Sequence, residues 1–468
     1  MGKGKYKILL ILLLAVILRL ILIDQSFWLD ETAQLLMSGQ NLNFLWLGRS
    51  ADFHPPLFYF FTHYWLILGK TELVLRLLPI GFGIMSIFLF YLFVKDIFDE
   101  KIALLTSFLI AISQFHIYYS QEMRMYSALG FFGILSMSFL WQKKWFWYLL
   151  STLALVYTHY AGLFLIASQI IWILIKEPQY LKKFMVTLTG VFIIFLPWIP
   201  QLLKQLKAGE NILILMPGWR EVANLDWFKV IPLTIEKFIY GRIGYGDKYL
   251  YLILILFLVI FSGMLFYKAL KTNNLQKLFI LNWFITPLVL CSLFSFFIPM
   301  YQPFRMLYTI FPFYLLLSLG ILSFQKKRML AIGLLTTTIS LIGLGQYWLD
   351  PNLQREDWKK AVAYVENNSD DKTLVLFEFS APLAPFQWYE TKKVKNIGAI
   401  PGFTKDKNII FTHLTTQTQN FNQIYLFQYL QPLSDSDKNV QKWLTDNKFQ
   451  LVDTQDFTGV GFLYNFRK

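Results

Sequence analysis

An adjacent pair of carboxylates, Asp30-Glu31, lies just beyond an apolar run that ends near Ile23, and it opens a helical-looking segment, Thr32 to Ser38. A carboxylate at the edge of an apolar region can take the proton from a hydroxyl group while that oxygen attacks an electrophilic carbon. Phe27, Trp28 and Leu29 would partly desolvate such a group. Neighbouring helical residues diverge by about 100°, so only one of the two acids can face the reacting atoms. Asp30 is expected to be the base, and Glu31 to bind or orient. Further ionisable groups follow in clusters. Asp52 and His54 precede Pro55-Pro56; Glu122, Arg124 and Tyr126 share the run YYSQEMRMY; His159 sits in Thr158-His159-Tyr160; Arg305 follows Gln302-Pro303-Phe304. Arg76 lies in LVLRLLP. Arginine binds phosphate through paired N–H groups, so Arg76, Arg124 and Arg305 point to an anionic ligand. Taken singly, each cluster has an ordinary explanation. Acids are favoured in a first helical turn, proline starts helices, and tyrosine and arginine anchor spans at a membrane surface.

The elements that must position these residues are apolar. The chain is 56% hydrophobic, 18% aromatic and only 15% charged, against roughly a quarter charged in soluble domains. Its net charge of +14 is spread over short loops between apolar runs, which argues against a nucleic-acid surface and for the cytoplasmic loops of a membrane protein. Cys291 is the single cysteine, so no internal disulfide can form. About eleven runs approach the length needed to cross ~30 Å of hydrocarbon. They are 6–23, 77–95, 102–119, 126–141, 145–159, 160–175, 184–203, 249–267, 278–298, 306–322 and 329–347. The run from Ile8 to Ile23 lacks a small-residue cleavage site and reads as an uncleaved first span.

Leu57 to Gly69, short and rich in Phe, Tyr and Trp, reads as an interfacial helix. Leaving it on the surface puts every basic loop, from Lys95/Lys101 to Lys326/Lys327/Arg328, on the side of the N-terminal lysines. That makes the N-terminus cytoplasmic and places residues 24–76, 204–248 and the tail outside. Residues 1–347 then form a transmembrane domain and 348–468 a small extracytoplasmic α/β domain, with helices at Glu356–Asn367 and Val440–Asn447 and strands at Thr373–Phe379, Gln423–Tyr429 and Phe462–Phe466. No Asp, Glu or Lys falls deep in a span, unlike ion-coupled carriers; the ionisable groups gather at outer span ends.

The order of these motifs resembles the family 39 glycosyltransferases of the GT-C superfamily, which include protein O-mannosyltransferases and the lipid A aminoarabinose transferase. The acidic pair, then HPPLFYF, LVLRLLP and YYSQEMRMYS, carry the resemblance over Phe27–Ser127. Thr158-His159-Tyr160, Arg305 and Arg355-Glu356-Asp357-Trp358 extend it. The resemblance implies a polytopic α-helical GT-C fold and inverting transfer of a sugar from a polyprenyl-phosphate donor to a lipid or glycan acceptor, with protein less favoured, at the outer face of the cell membrane. It places the base on Asp30 and makes Leu57–Gly69 a juxtamembrane helix. His54, Arg76, Glu122, Arg124, Tyr126, His159 and Arg305 become candidate substrate-binding residues. It implies no obligatory cofactor; a divalent metal, if one is used, would take Asp30 and Glu122. Two other functions remain open on the residues alone: a lipid-linked oligosaccharide ligase or polymerase, and a non-catalytic lipid-linked sugar transporter or flippase.

Overall fold

In a medium without water every backbone N–H and C=O must be satisfied within the segment, so long apolar runs fold as helices. A computed structural model describes residues 3–48, 53–216, 218–242, 246–272 and 274–468. The chain begins with α1 (Lys3–Leu20), α2 (Leu29–Ser38), α3 (Leu57–Trp65), α4 (Glu72–Ile97), α5 (Glu100–Ala111) and α6 (Gln114–Ser120). Then come α7 (Tyr126–Trp141), α8 (Trp145–Thr158), α9 (Gly162–Lys176), α10 (Leu181–Phe195), α11 (Ile199–Leu215), α12 (Trp219–Ala223) and α13 (Val230–Ile239). The long helices α14 (Lys248–Leu270), α15 (Leu275–Phe294), α16 (Ile310–Leu322) and α17 (Lys326–Leu349) complete the apolar part. Two units group by their internal contacts. One comprises Met1–Ile23, Asp52–Leu203 and Ala223–Leu353; the other comprises Asp24–Ala51, Lys204–Val222 and Gln354–Lys468.

All eleven stretches expected to span are helical, but they are not equal. Among the described residues six helices are long and apolar enough to cross a membrane, or seven if the bent pair α5–α6 is one span. α7, α8 and α9 have 16, 14 and 15 residues, and at 1.5 Å per residue they fall short of ~30 Å. α1 carries Lys3, Lys5, Lys7 and Arg19 in its 18 residues. The expected span at 184–203 is part of a helical stretch that continues to Leu215, so residues 204–215 are helix and not loop. The segment 204–248 was expected outside the membrane as a whole; within its helical part Gln205 is buried, as is Gln201 just before it. The interfacial segment is α3 plus one 3₁₀ turn, Leu66–Leu68.

α5 and α6 meet at a 65° bend. Ser113 caps α6, its Oγ accepting the His116 N–H at 3.4 Å. The break frees carbonyls that need donors, and Arg19, fully buried, supplies them. Its guanidinium donates to Ala111 O at 3.2 Å and to His116 Nδ1 at 2.6 Å. In return Gln121 Nε2 donates to Arg19 O and Ile21 O at 3.0 and 2.6 Å, satisfying carbonyls at the end of α1. The start of the YYSQEMRMY segment is thereby tied to the first span.

The other unit adds α18 (Trp358–Asn367), β1 (Thr373–Phe377), α19 (Leu383–Tyr389), β2 (Lys395–Gly398), α20 (Lys407–Thr418), β3 (Gln423–Phe427), α21 (Gln431–Ser434), α22 (Asn439–Asp446), β4 (Gln450–Phe457) and β5 (Gly461–Arg467). The sheet order is β2-β1-β3-β5-β4. β1 is parallel to both β2 and β3, while β5 runs antiparallel to β3 and β4. Alternation splits each central strand between two cores. Val375, Phe377, Tyr425 and Phe427 pack with α18 and Phe386, whereas Leu374, Leu376, Ile424 and Leu426 pack with α20 and α22. Leu29 of α2 is a member of the first core.

Candidate functional site

The acidic pair belongs to the α/β unit. α2 starts at Leu29, and no side chain caps it from Trp28. Glu31 is fully buried, and its Oε2 accepts the Trp28 N–H at 3.3 Å, the reciprocal half of a capping box. Glu31 therefore has a helix-start duty whatever else it does. Asp30, one residue earlier, is only partly buried. The preceding turn is sewn to the tail: Phe27 N–H donates to Tyr389 Oη at 2.6 Å, and Gln25 bonds Gln354 at 3.1 Å. Sequence reasoning missed Glu356 as a neighbour of Asp30 and took it only as the start of the tail. The negative charge of Asp30 reaches it, and desolvation with that charge lifts the Glu356 carboxyl to about 7. No local signal could have shown this, because the two acids are separated by most of the chain.

The cationic residues belong to the helical unit, and the structure brings most of them together. Arg124 Nη2 donates to His54 Nδ1 at 3.4 Å, which requires that ring nitrogen to be unprotonated. The His54 and His159 rings lie 5.1 Å apart. His159 is held by the Ala161 N–H, which donates to its Nδ1 at 3.0 Å. The proton of the neutral ring is then on Nε2, and that atom is buried with no hydrogen-bond partner among the described residues. Tyr126 packs 6.1 Å from His159 and 4.9 Å from Phe304. Arg305 lies over Phe304 at 5.6 Å and donates to Met300 O at 2.9 Å and Ala223 O at 3.3 Å. The charges of Arg305 and Arg124 both reach His159.

Glu122 is buried close enough to Tyr119 for its charge to be felt there. Arg76 is fully buried and donates to Ile23 O at 2.8 Å, a bond that braces the end of the first span. Asp52 lies outside the described residues. A residue that sequence reasoning did not single out, Arg242, stacks on Tyr118 at 4.7 Å and donates to its hydroxyl. It sits in the 204–248 segment, for which no motif was available. Among the described residues no three His, Cys, Asp or Glu side chains converge as a metal-ligand set.

The polytopic helical unit and its small mixed-sheet partner define a multi-pass membrane protein of the GT-C fold. Residues 53–203 match the dolichyl-phosphate-mannose-protein mannosyltransferase family, a stretch that holds HPPLFYF, LVLRLLP, YYSQEMRMYS and THY. None of the curated proteins matches the sequence. Among solved structures the chain is similar to ArnT from Cupriavidus metallidurans bound to undecaprenyl phosphate, at 11% identity and TM-score 0.64, over 99% of this chain and 98% of that one. The apo form of the same ArnT gives 10% identity and TM-score 0.61 over the same shares. The Archaeoglobus fulgidus oligosaccharyltransferase complex with Zn and sulfate follows at 13% identity and TM-score 0.54, covering 98% of this chain and 72% of that one. The fold and the matched segment agree with the GT-C resemblance carried by the motifs.

Proposed function

We propose that the protein is a GT-C glycosyltransferase that moves a sugar from a polyprenyl-phosphate donor to a lipid or glycan hydroxyl at the outer face of the cell membrane, with inversion. The observation that carries this reading is the His159 Nε2–H, a buried donor without a partner among the described residues, within reach of the charges of Arg124 and Arg305. A buried donor left open beside cations suits an anion that brings its own acceptors. A phosphate on a lipid tail is such an anion, and the apolar helical exterior suits the tail. ArnT, a protein of the same fold, has been captured with undecaprenyl phosphate.

In the reaction so proposed, the acceptor oxygen attacks the anomeric carbon while Asp30 takes its proton. The bond from that carbon to the phosphate oxygen breaks, and the electron pair stays on the phosphate. Arg124, His159 and Arg305 offset the charge that develops there, so no strong acid is needed for the leaving group. Glu31 holds the turn that carries the base. Loop charge supports a cytoplasmic N-terminus and an extracytoplasmic α/β unit.

The test follows the donor. Purified protein incubated with labelled polyprenyl-phosphate sugar and membrane acceptors is expected to release polyprenyl phosphate, and Asp30→Asn is expected to stop the release. A flippase would leave the sugar attached, and that outcome would overturn the reading. The acceptor is the glycan or lipid whose sugar disappears in a deletion strain.

A further inference from the structure

At the end of α7 opposite Tyr126, a cleft of about 640 Å³ opens between α4 and α7. Leu89, Phe93 and Asp96 line it from α4; Leu135, Phe139 and Gln142 line it from α7 and the residue that ends it. Both sets follow the spacing i, i+4, i+7, so each helix turns one continuous face toward the cleft. Seven residues of helix rise about 10 Å. Over that distance both faces change from apolar to polar, and Lys144 joins Asp96 and Gln142 at the polar end. That end carries the basic loops at Lys95/Lys101 and Lys143/Lys144.

The neighbouring charges are already matched. Lys95 Nζ bonds Glu100 Oε1 at 2.8 Å, and Lys143 pairs with Glu177. Asp96 and Lys144, one residue along from each, are exposed, and their side chains make no hydrogen bond or ion pair among the described residues. The Gln142 amide makes none either. An exposed acid and lysine are ordinarily just hydrated. Here they rim a cleft whose deeper walls are Leu89, Phe93, Leu135 and Phe139, and water would be poorly held against those side chains. The length of α7 adds a second reason. Its 16 residues make about 24 Å, so the helix ends short of a ~30 Å hydrocarbon layer unless the bilayer thins there. A lipid headgroup that dips into the cleft meets Gln142 and Lys144, while its acyl chain follows Leu135 and Phe139.

We propose that this cleft binds one phospholipid with a zwitterionic headgroup of the ethanolamine kind, from the leaflet on the side of the basic loops. Asp96 accepts from the primary ammonium, Lys144 and Gln142 donate to the phosphate, and the upper part of an acyl chain fills the apolar floor. One acid beside one base matches that headgroup charge for charge. An anionic lipid would bring nothing to offset the Asp96 carboxylate. A quaternary ammonium has no N–H to donate to it.

The experiment uses the full-length protein, purified and delipidated in detergent, then incubated with phosphatidylethanolamine, phosphatidylcholine or phosphatidylglycerol. Native mass spectrometry counts the retained lipid, and thermal unfolding is the folding control. Phosphatidylethanolamine is expected to be retained about two- to fivefold better than either other lipid, as one ion pair at a wet rim would give. Asp96→Asn is expected to remove that preference, and Asp96→Glu to keep most of it. Lys144→Gln is expected to lower retention of phosphatidylethanolamine and phosphatidylglycerol alike. Leu92, on the α4 wall of the cleft, is 44% exposed, so Leu92→Trp can fill the cleft without entering the core. It is expected to melt close to the parent and to lose the preference. Lys176→Gln, exposed and outside the cleft, is expected to change nothing. Equal retention of the three lipids would mean an unselective lipid shell only and would overturn the inference. So would a phosphatidylethanolamine preference that survives both Asp96→Asn and Leu92→Trp. A preference for phosphatidylglycerol that Lys144→Gln removes would make the occupant an anionic lipid and overturn it as well.

Discussion

The two units solve opposite burial problems. In the helical unit the exterior is apolar, with Ile175, Val186, Leu334 and Tyr249 each about two-thirds or more exposed, while Arg19, Arg76, His116 and Glu122 are buried. In the α/β unit Val375, Phe377, Ile424 and Leu426 are inside, and lysines and acids cover the surface. Lipid accepts apolar side chains but not charges, so a charge in a membrane protein turns inward and must find partners there. That inward turn is what collects His54, Arg124, His159 and Arg305 in one place. Water imposes no such pressure on the α/β unit, so its few buried acids need separate reasons. For Glu31 the reason is capping.

The comparison frames separate tests for the proposed base and for the proposed anion-binding side chains. The largest effect is expected at Asp30. Asp30→Asn should insert and bind donor yet turn over about 10²–10⁴-fold more slowly, as loss of a general base does. A near-normal Asp30→Asn, or an equally dead Glu31→Gln that still folds, would move the base elsewhere.

The next effect is on stability. Leu29 is buried in the core shared by Trp358, Val362 and Phe427. Leu29→Ala is expected to cost about 2–5 kcal/mol of the stability of the α/β unit, read as earlier proteolysis and unfolding of the tail. An unchanged tail would return α2 to the membrane unit.

A smaller loss is expected from Arg124→Lys. Lysine keeps the charge but not the paired N–H geometry, so donor affinity should fall by about tenfold to a hundredfold in a binding assay. Arg76, which braces Ile23, should tolerate lysine better in that assay. Equal tolerance at Arg124, Arg305 and His159→Gln would break the cradle.

The smallest effect is on pH. The Glu356 carboxyl is raised from 4.5 to about 7 in the folded protein, so the native state holds that proton more tightly than the unfolded chain. Its contribution to stability is fully present below about 4.5 and is lost as pH rises through about 7. Thermal midpoints should therefore drift down by a few degrees between pH 5 and 7.5, and Glu356→Gln should flatten that drift. A drift unchanged in the variant would assign it to another group, with Glu236, also raised to about 7, the next to test.

Residues 126–141 show how much was legible in advance, because that expected span and α7 coincide end to end. An unbroken apolar run bounded by a polar turn has one stable local answer in lipid, and it needs no partner to choose it. TLVLF and QIYLF were legible for another reason: their continuous apolar pattern suits strands buried on both faces of a sheet. β2, KNIG, and β4, QLVDTQDF, were not legible: both are edge strands with no fully buried side chain, and only pairing makes them strands.

The site divides in the same way. Residue types and their order along the chain pointed to an acid near the first span, a run of arginines and histidines, and an anionic substrate. Chemistry restricts which side chains can take a proton or grip a phosphate, and those restrictions are visible in one dimension. What only the tertiary structure decided is company. It put Asp30 on a helix rooted in the tail's core, tied Ser26 to the Glu356 carbonyl, left His159 Nε2 without a partner among the described residues, and gave Arg76 a backbone carbonyl to hold. Contacts between residues tens to hundreds of positions apart depend on how helices and strands pack, and packing is decided by complementary surfaces that no local stretch of sequence contains.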